Sequence, residues 1–352
     1  MALTRRGKQV FGGAVTAGVV GVAALAFTGS APGPLQQAVD AVTGREPAPP
    51  TCPLTGEPTP KGNEVTRPML AVKVENTDAA YPLNGLHRAD MVYEEIVEGG
   101  ITRFVAVYHC RDAERVGPVR SARTTDPKIL VQFQQQPLLG YSGGAPKVVK
   151  SLVDADVQQL TETSASAAFT RDAARVAPHN LFSATAPLWK AALADLDNPA
   201  TPRGVFTFDD EVTELGKRAR SVSIVFSTLS STGWEWGGGR WTRQLAGAPM
   251  ALEDGTPITA ANVVVQFVEV SQDTIRDASG SYSPVVEMTG TGKAWVLRDG
   301  RAIAGTWERA SEGDLTVFRD KDGDEITLAA GVTWVELVPL DGEVTISKTA
   351  GA

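Results

Sequence analysis

Five arginines, Arg103, Arg111, Arg115, Arg120 and Arg123, fall within 21 residues that hold only two acids, Asp112 and Glu114. A guanidinium is planar, permanently charged and forked, which suits it to phosphate or carboxylate. The concentration is notable because the chain as a whole is acidic, with 33 Lys+Arg against 41 Asp+Glu and a net charge of −8. Arg120 and Arg123 stand just before Asp126-Pro127, which predicts a helix start with Asp as cap and Pro in the first helical position. A helix N-terminus offers free N–H groups and partial positive charge. Ser142-Gly143-Gly144 precedes a second helix start at Ala145-Pro146, and paired glycines let successive amides form an anion nest. His179-Asn180 precedes a third. Convergence of these loops would make an anion-binding cleft of Arg103, Arg120, Arg123, Ser142, Gly143, Gly144, His179 and Asn180. In the competing arrangement the arginines pair with Glu94, Glu95 and Glu98 and only hold the fold.

Gly140-Tyr141-Ser142-Gly143-Gly144 also fits the G-x-S-x-G pattern of a nucleophile elbow. A hydrolase would need Ser142 activated by His179, itself oriented by Asp154, Asp156 or Asp172. Only 36 residues separate Ser142 from His179, short for that fold, so a glycine-rich turn is the plainer expectation. Thr289-Gly290-Thr291-Gly292-Lys293 lacks the first glycine of a phosphate loop and leads into a strand; it reads as a turn. Asp320, Asp322, Asp324 and Glu325 have the wrong offsets for a calcium loop and read as a hairpin turn. Glu94 and Glu95 project from opposite faces of a strand, so they cannot flank one glycosidic bond. With three histidines and two cysteines, no metal centre or other cofactor is expected. The acidic body argues against non-specific nucleic-acid binding.

The elements that would carry these residues divide into two units. In the first, residues 69–205, Leu70, Val72 and Val74 alternate with Ala71, Lys73 and Glu75, predicting a half-buried strand. Two further strands, Met91–Val97 and Ile101–His109, flank a Glu98-Gly99-Gly100 hairpin. A short strand at 137–141 and helices from Asp126, Ala145 and Thr185 make this unit α+β or α/β. The second, residues 219–347, is β-rich. Strands are expected at 221–226, 262–270, 293–298, 302–307, 315–319 and 332–338, with Asp-Gly turns at 254–255, 299–300 and 322–323. Trp234, Trp236 and Trp241 cluster around Gly237-Gly238-Gly239. They are core residues or, alternatively, an exposed aromatic platform of the kind that binds sugars.

Ahead of both units, Arg5, Arg6 and Lys8 precede an uncharged run from Val10 to Thr28. Nineteen helical residues span about 28 Å, close to a bilayer core. Residues 1–30 therefore read as a signal anchor or a cleaved signal peptide, with the remainder outside. Residues 31–68 hold nine prolines and form an extended linker. Export permits a disulfide, and Cys52 with Cys110 is the only pairing available.

Several stretches resemble the YerB-like family of bacterial envelope proteins, known as a two-part domain of unknown function. They are Cys52-Pro53-Leu54-Thr55-Gly56, Ala71–Asn76, Ala89–Glu95, Glu98–Phe104, Gly117–Arg123, Gly143–Pro146, Pro178–Phe182 and Asp299–Trp307. The resemblance spans about residues 52–340 and implies an extracytoplasmic location. Several relatives are lipoproteins, whereas no cysteine closes the apolar run here, which implies another mode of attachment. The expected function is an envelope protein that binds an anionic cell-wall component or lipid phosphate through the arginine cleft. The alternatives are an envelope hydrolase or phosphotransferase, or a scaffold for wall-synthesis enzymes with a protein partner in the envelope.

Overall fold

The computed structural model describes residues 50–349 apart from 63, 195, 197–199 and 277–279. The expected N-terminal membrane helix and residues 31–49 of the proline-rich linker lie outside the described residues. In chain order the first part comprises β1 (Leu70–Asn76), β2 (Met91–Ile96), β3 (Thr102–Tyr108), α1 (Thr125–Leu130), β4 (Leu138–Gly140), α2 (Pro146–Asp154), β5 (Gln158–Leu160), β6 (Phe169–Arg171), β7 (Leu181–Ser183) and α3 (Thr185–Leu193). The second part is all strand. It comprises β8 (Lys217–Arg218), β9 (Ser221–Ser227), β10 (Ser230–Gly237), β11 (Arg240–Leu245), β12 (Ala248–Pro249), β13 (Thr259–Ala260), β14 (Asn262–Val268), β15 (Val270–Arg276), β16 (Tyr282–Val286), β17 (Gly290–Arg298), β18 (Arg301–Arg309), β19 (Val317–Asp320), β20 (Thr333–Pro339) and β21 (Glu343–Ser347). The described chain is thus mostly β-sheet with three short α-helices, and its second part is β-rich as the turn spacing predicts.

An eleven-stranded sheet runs β19-β18-β17-β14-β20-β2-β3-β1-β4-β5, with β8 beside β18. The two parts of the chain meet inside it. β20 lies between β14 and β2 and is parallel to both, from Met91 opposite Thr333 to Glu95 opposite Leu337. A strand in that position must be buried on both faces, and every residue of β20 is buried. A smaller sheet, β12-β11-β10-β9-β21 with β13, packs over one face of the large one. Its inner residues Val222, Ile224, Trp234 and Trp241 share a core with Val92, Phe104 and Trp334. Trp234 and Trp334 meet edge to face at 5.2 Å, a geometry that adds about 1 kcal/mol beyond area burial. On the opposite face, Ile129, Leu130 and Phe133 around α1 and Val148 and Leu152 of α2 cover Ala71, Met91, Tyr93, Val105 and Val107.

This double cover corrects one expectation. β1 is buried on both faces, not half-buried, and Lys73 in the middle of its polar face has no solvent exposure. The alternation is real, but the polar side faces a roof of helices. The β2–β3 hairpin turns at Glu98–Gly100 as expected, with Gly99 and Gly100 both at positive φ (74° and 75°) where a side chain would be strained. Helix α1 starts at Thr125, a residue before the predicted cap. Asp126 still accepts the Arg123 amide at 2.6 Å. The tryptophan cluster forms the β10–β11 hairpin.

Cys52 and Cys110 are joined, with Cα atoms 6.0 Å apart, within the normal disulfide range. The bond ties the turn at 52–56 to the end of β3 across 58 positions of sequence. Closing a loop of that length stabilises the fold by roughly 4 kcal/mol on the chain-entropy account.

Candidate functional site

The five arginines do not act together. Arg111 is bound to Glu57. Arg115 is bound to Asp172 at 2.5 Å and lies 3.7 Å above the ring of Phe182. Arg103, Arg120 and Arg123 do converge, at the end of the sheet where β1, β2 and β3 meet the loop before α1. Arg103 on β3 stands directly opposite Glu75 on β1 and Glu95 on β2, so all three project from the same face. Arg103 Nη1 and Arg123 Nη1 both donate to the Ser121 carbonyl, at 3.3 and 3.2 Å. The Arg120–Ala122 backbone is clamped to the Ser142 loop: the Ser142 amide donates to Arg120 O at 2.9 Å and the Ala122 amide to Gly143 O at 3.0 Å.

Within this group the arginines differ sharply. Arg123 is spent. Its Nε donates to Glu98 Oε2 at 2.7 Å, its Nη2 reaches the same oxygen, and its Nη1 caps the Ala122 carbonyl at 2.7 Å. Burial pushes Glu98 up, but Arg123 and the Ser283 hydroxyl outweigh it and hold its carboxyl below the ordinary value. Arg120 is half-paired, with Nε 3.4 Å from Glu75 Oε1 and no hydrogen bond at that nitrogen. Arg103 is the least satisfied: it is 7% exposed and its buried Nε has no acceptor. Burial, then the charges of Arg123 and Arg120, lower its pKa to about 10 against the weaker pull of Glu98 and Glu75. Arg123 and Arg120 have the carboxylates of Glu98 and Glu75, and Arg103 is the guanidinium of the three without an ion-pair partner of its own.

Beneath lies a group the sequence reading missed. Lys73, Glu95 and Asp126 are all fully buried, with Lys73 Nζ bonded to Glu95 and to Asp126 Oδ1 at 2.6 Å. Burial, then Asp126, raises the Glu95 carboxyl above its ordinary value despite Lys73. An available signal was the charged Lys73 and Glu75 inside a strong strand pattern beside Glu95. Each would be costly to bury alone, and pairing recovers part of that cost.

The remaining predicted residues are held, not poised. Ser142 Oγ donates to Glu162 Oε2 at 3.0 Å, and Glu162 also pairs with Arg171. Arg171 Nη1 donates to Asn180 Oδ1 at 3.0 Å, which ties Asn180 to the same Glu162–Arg171 pair. His179 Nδ1 faces both oxygens of Glu75 at 3.0 Å. Ser142 and His179 are thus engaged by different glutamates and form no nucleophile–base pair, even though the strand–loop–helix setting around Ser142 is present. The nest is narrower than expected, because the Ser142 amide is already bonded. Gly143 and Gly144 are exposed, and their amides have no protein partner among the described residues.

The other motifs resolve as turns. Asp320 Oδ1 accepts the amides of Asp322 and Asp324 at 2.9 and 3.1 Å, and Glu287 Oε1 accepts those of Met288 and Thr289 ahead of β17. Among the described residues, no cluster of His, Cys, Asp and Glu is arranged to hold a metal.

Comparison with known proteins agrees with this architecture. Residues 54–197 match the protein of unknown function (DUF3048) N-terminal domain, and residues 222–335 match its C-terminal domain. YerB of Bacillus subtilis (strain 168), named as a candidate lipoprotein, is 28% identical over 306 residues, covering 85% of this chain and 89% of that protein. The crystal structure of YerB protein from Bacillus subtilis superposes with a TM-score of 0.70 at 24% identity, over 84% of this chain and 99% of the other.

Proposed function

The chain belongs to the YerB-like family, built from the two DUF3048 domains, and from that premise we propose that it is an outward-facing envelope protein that captures an anionic group at Arg103. The contacts open to such a group are the half-paired Arg120 and the amides of Gly143 and Gly144, with the under-partnered Arg103 guanidinium just behind them. The ligand class is a phosphate or carboxylate on a wall polymer or lipid, at a membrane to which residues 1–30 attach or target the chain. One observation carries the reading: a nine-tenths-buried guanidinium with an unpartnered nitrogen, set beside two others in a protein of net charge −8. A native fold leaves such a group unsatisfied at a cost of about 1–3 kcal/mol, and an arriving anion recovers it. Arg123, Ser142, His179 and Asn180 hold the frame in this reading and do not touch ligand.

The test is titration of the full-length chain in detergent with inorganic phosphate and with a polyprenyl phosphate. Saturable binding of either should weaken at least tenfold in Arg103→Gln and in Arg120→Gln, with unchanged circular dichroism. Affinity equal to the parent in both variants would sink the proposal.

A further inference from the structure

The second half of the molecule has a cavity of about 320 Å³ where β8 and the β17–β18 turn of the large sheet meet β9 and β10 of the small one. Its size falls at the lower end of small-ligand sites, about 300–1,000 Å³. Trp236 and Asp299 line both it and a second recess of about 200 Å³. Trp234 and Trp241 are wholly buried, which settles them as core, but Trp236 is only half-buried. Its indole N–H has no partner among the described residues. The ring is held in place from behind, by Trp241 at 5.4 Å and by the turn at Gly300, where a Cβ would come within 2.6 Å of the indole nitrogen.

The walls beside that ring are cationic. Arg218, Arg220 and Lys348 are exposed in the cavity and have no carboxylate partner among the described residues. The two acids present are already engaged. Glu214 pairs with Arg301, and Asp299 accepts Arg298 Nε at 2.7 Å and the Thr213 amide at 3.1 Å. The smaller recess is different in character, with Asp209, Asp210 and Asp299 in its lining beside Arg240 and Arg298. An aromatic plate, a surplus of free cations on one side and mixed hydrogen-bonding groups on the other are complementary to a sugar chain with an acidic substituent.

We propose that this cavity binds an anionic saccharide. The C–H face of one sugar ring lies on the Trp236 indole, whose π-face is electron-rich. Its carboxylate or phosphate sits among Arg218, Arg220 and Lys348, and the next unit passes Trp236 into the smaller recess. This site is separate from Arg103 and stands or falls independently of it.

The experiment is calorimetric titration of the full-length chain in detergent with trigalacturonate, glucose 6-phosphate and neutral maltotriose. At least one acidic sugar should bind with one-to-one stoichiometry and at least tenfold more tightly than maltotriose. Trigalacturonate alone would identify the charge as carboxylate, and glucose 6-phosphate alone as phosphate. Binding should weaken at least tenfold in Arg218→Gln/Arg220→Gln, whose side chains are exposed, and in Trp236→Ala, while Arg103→Gln leaves it unchanged. The proposal is overturned if neither acidic sugar saturates, if maltotriose binds as tightly, or if the double arginine variant binds like the parent.

Discussion

Glu94 and Glu95 are neighbours on β2 and end in opposite environments. Glu94 points toward the small sheet, where Arg243 donates to it at 2.6 Å and to Glu336 at 3.2 Å. Thr102, Asn76 and the Trp234 indole complete that network at 2.6, 3.0 and 2.8 Å, and Phe104 and Trp334 enclose it. Burial lowers the Arg243 pKa, but Glu94 and Glu336 outweigh it and hold the guanidinium above its ordinary value. Burial, then Glu94, raises Glu336 well above the ordinary carboxyl value despite Arg243. Glu95 points the other way, into the Lys73–Asp126 pair, and from there the ionic chain runs outward to Arg103 and Arg120 at the surface. In one network the cation is paired with two carboxylates inside the core, although Arg243 Nε and Glu336 Oε2 lack partners; the other ends on a guanidinium with no carboxylate of its own. An ion-paired network buried between two sheets fixes their packing. One whose outermost guanidinium lacks its own carboxylate has the means to bind something.

That contrast can be broken most forcefully on the buried side. Arg243→Leu leaves Glu94 and Glu336 buried without their cation and should destabilise the fold by about 3–5 kcal/mol in urea unfolding. A triple replacement of Arg243, Glu94 and Glu336 by apolar residues should recover much of that loss. If Arg243→Leu costs under 1 kcal/mol, the Arg243 network is not structural.

Cys52→Ser probes the frame that both networks share. It should cost about 2–4 kcal/mol by the same measurement, and the reduced parent protein should match it. A reduced protein as stable as the oxidised one would show that the bond constrains little.

Asp90 supplies a pH test between these extremes. Its carboxylate accepts the amides of His109 and Cys110 beside the disulfide, yet its other oxygen is buried without a hydrogen bond. Burial raises its pKa from 3.8 to about 6, against those amides and Arg111. A raised folded-state pKa means that the native state holds the proton more tightly than the unfolded chain. Asp90 therefore contributes stability that is full below about pH 4 and lost as pH rises through about 6, on the order of 3 kcal/mol. Unfolding free energy of Asp90→Asn should be flatter than the parent's across that window. Identical slopes would exclude Asp90 as the titrating group.

The smallest expected effect lies at the open rim. Arg103→Gln should change stability by less than about 1 kcal/mol while weakening anion binding tenfold, about 1.4 kcal/mol. A large stability loss with no change in binding would place Arg103 in the same class as Arg243.

Much of the strand order along the chain was legible beforehand. The 70–76, 91–96 and 102–108 strands, the Glu98-Gly99-Gly100 hairpin and the Asp299-Gly300 turn, with φ of 52° and 67°, follow from period-two patterning and the few residues that tolerate positive φ. The β10–β11 hairpin was obscured because three tryptophans around three glycines fit a surface platform as well as a core. Only its neighbours separate Trp236 from Trp234 and Trp241. At the arginine site, proximity of Arg103, Arg120, Arg123 and the Ser142 loop was anticipated, but their occupancy was not. Glu98 is five residues from Arg103 in sequence and yet engages Arg123; Glu75, far away in sequence, takes Arg120 and His179.

The chain alone determined which segments extend, where they turn, which cysteines could join and how much arginine would gather near one loop, because these depend on local sterics and composition. Which carboxylate meets which guanidinium was decided only when β20 entered beside β2 and the helices roofed the other face. Ion pairing depends on distance and burial across elements remote in sequence, and neither quantity exists until the sheets have packed.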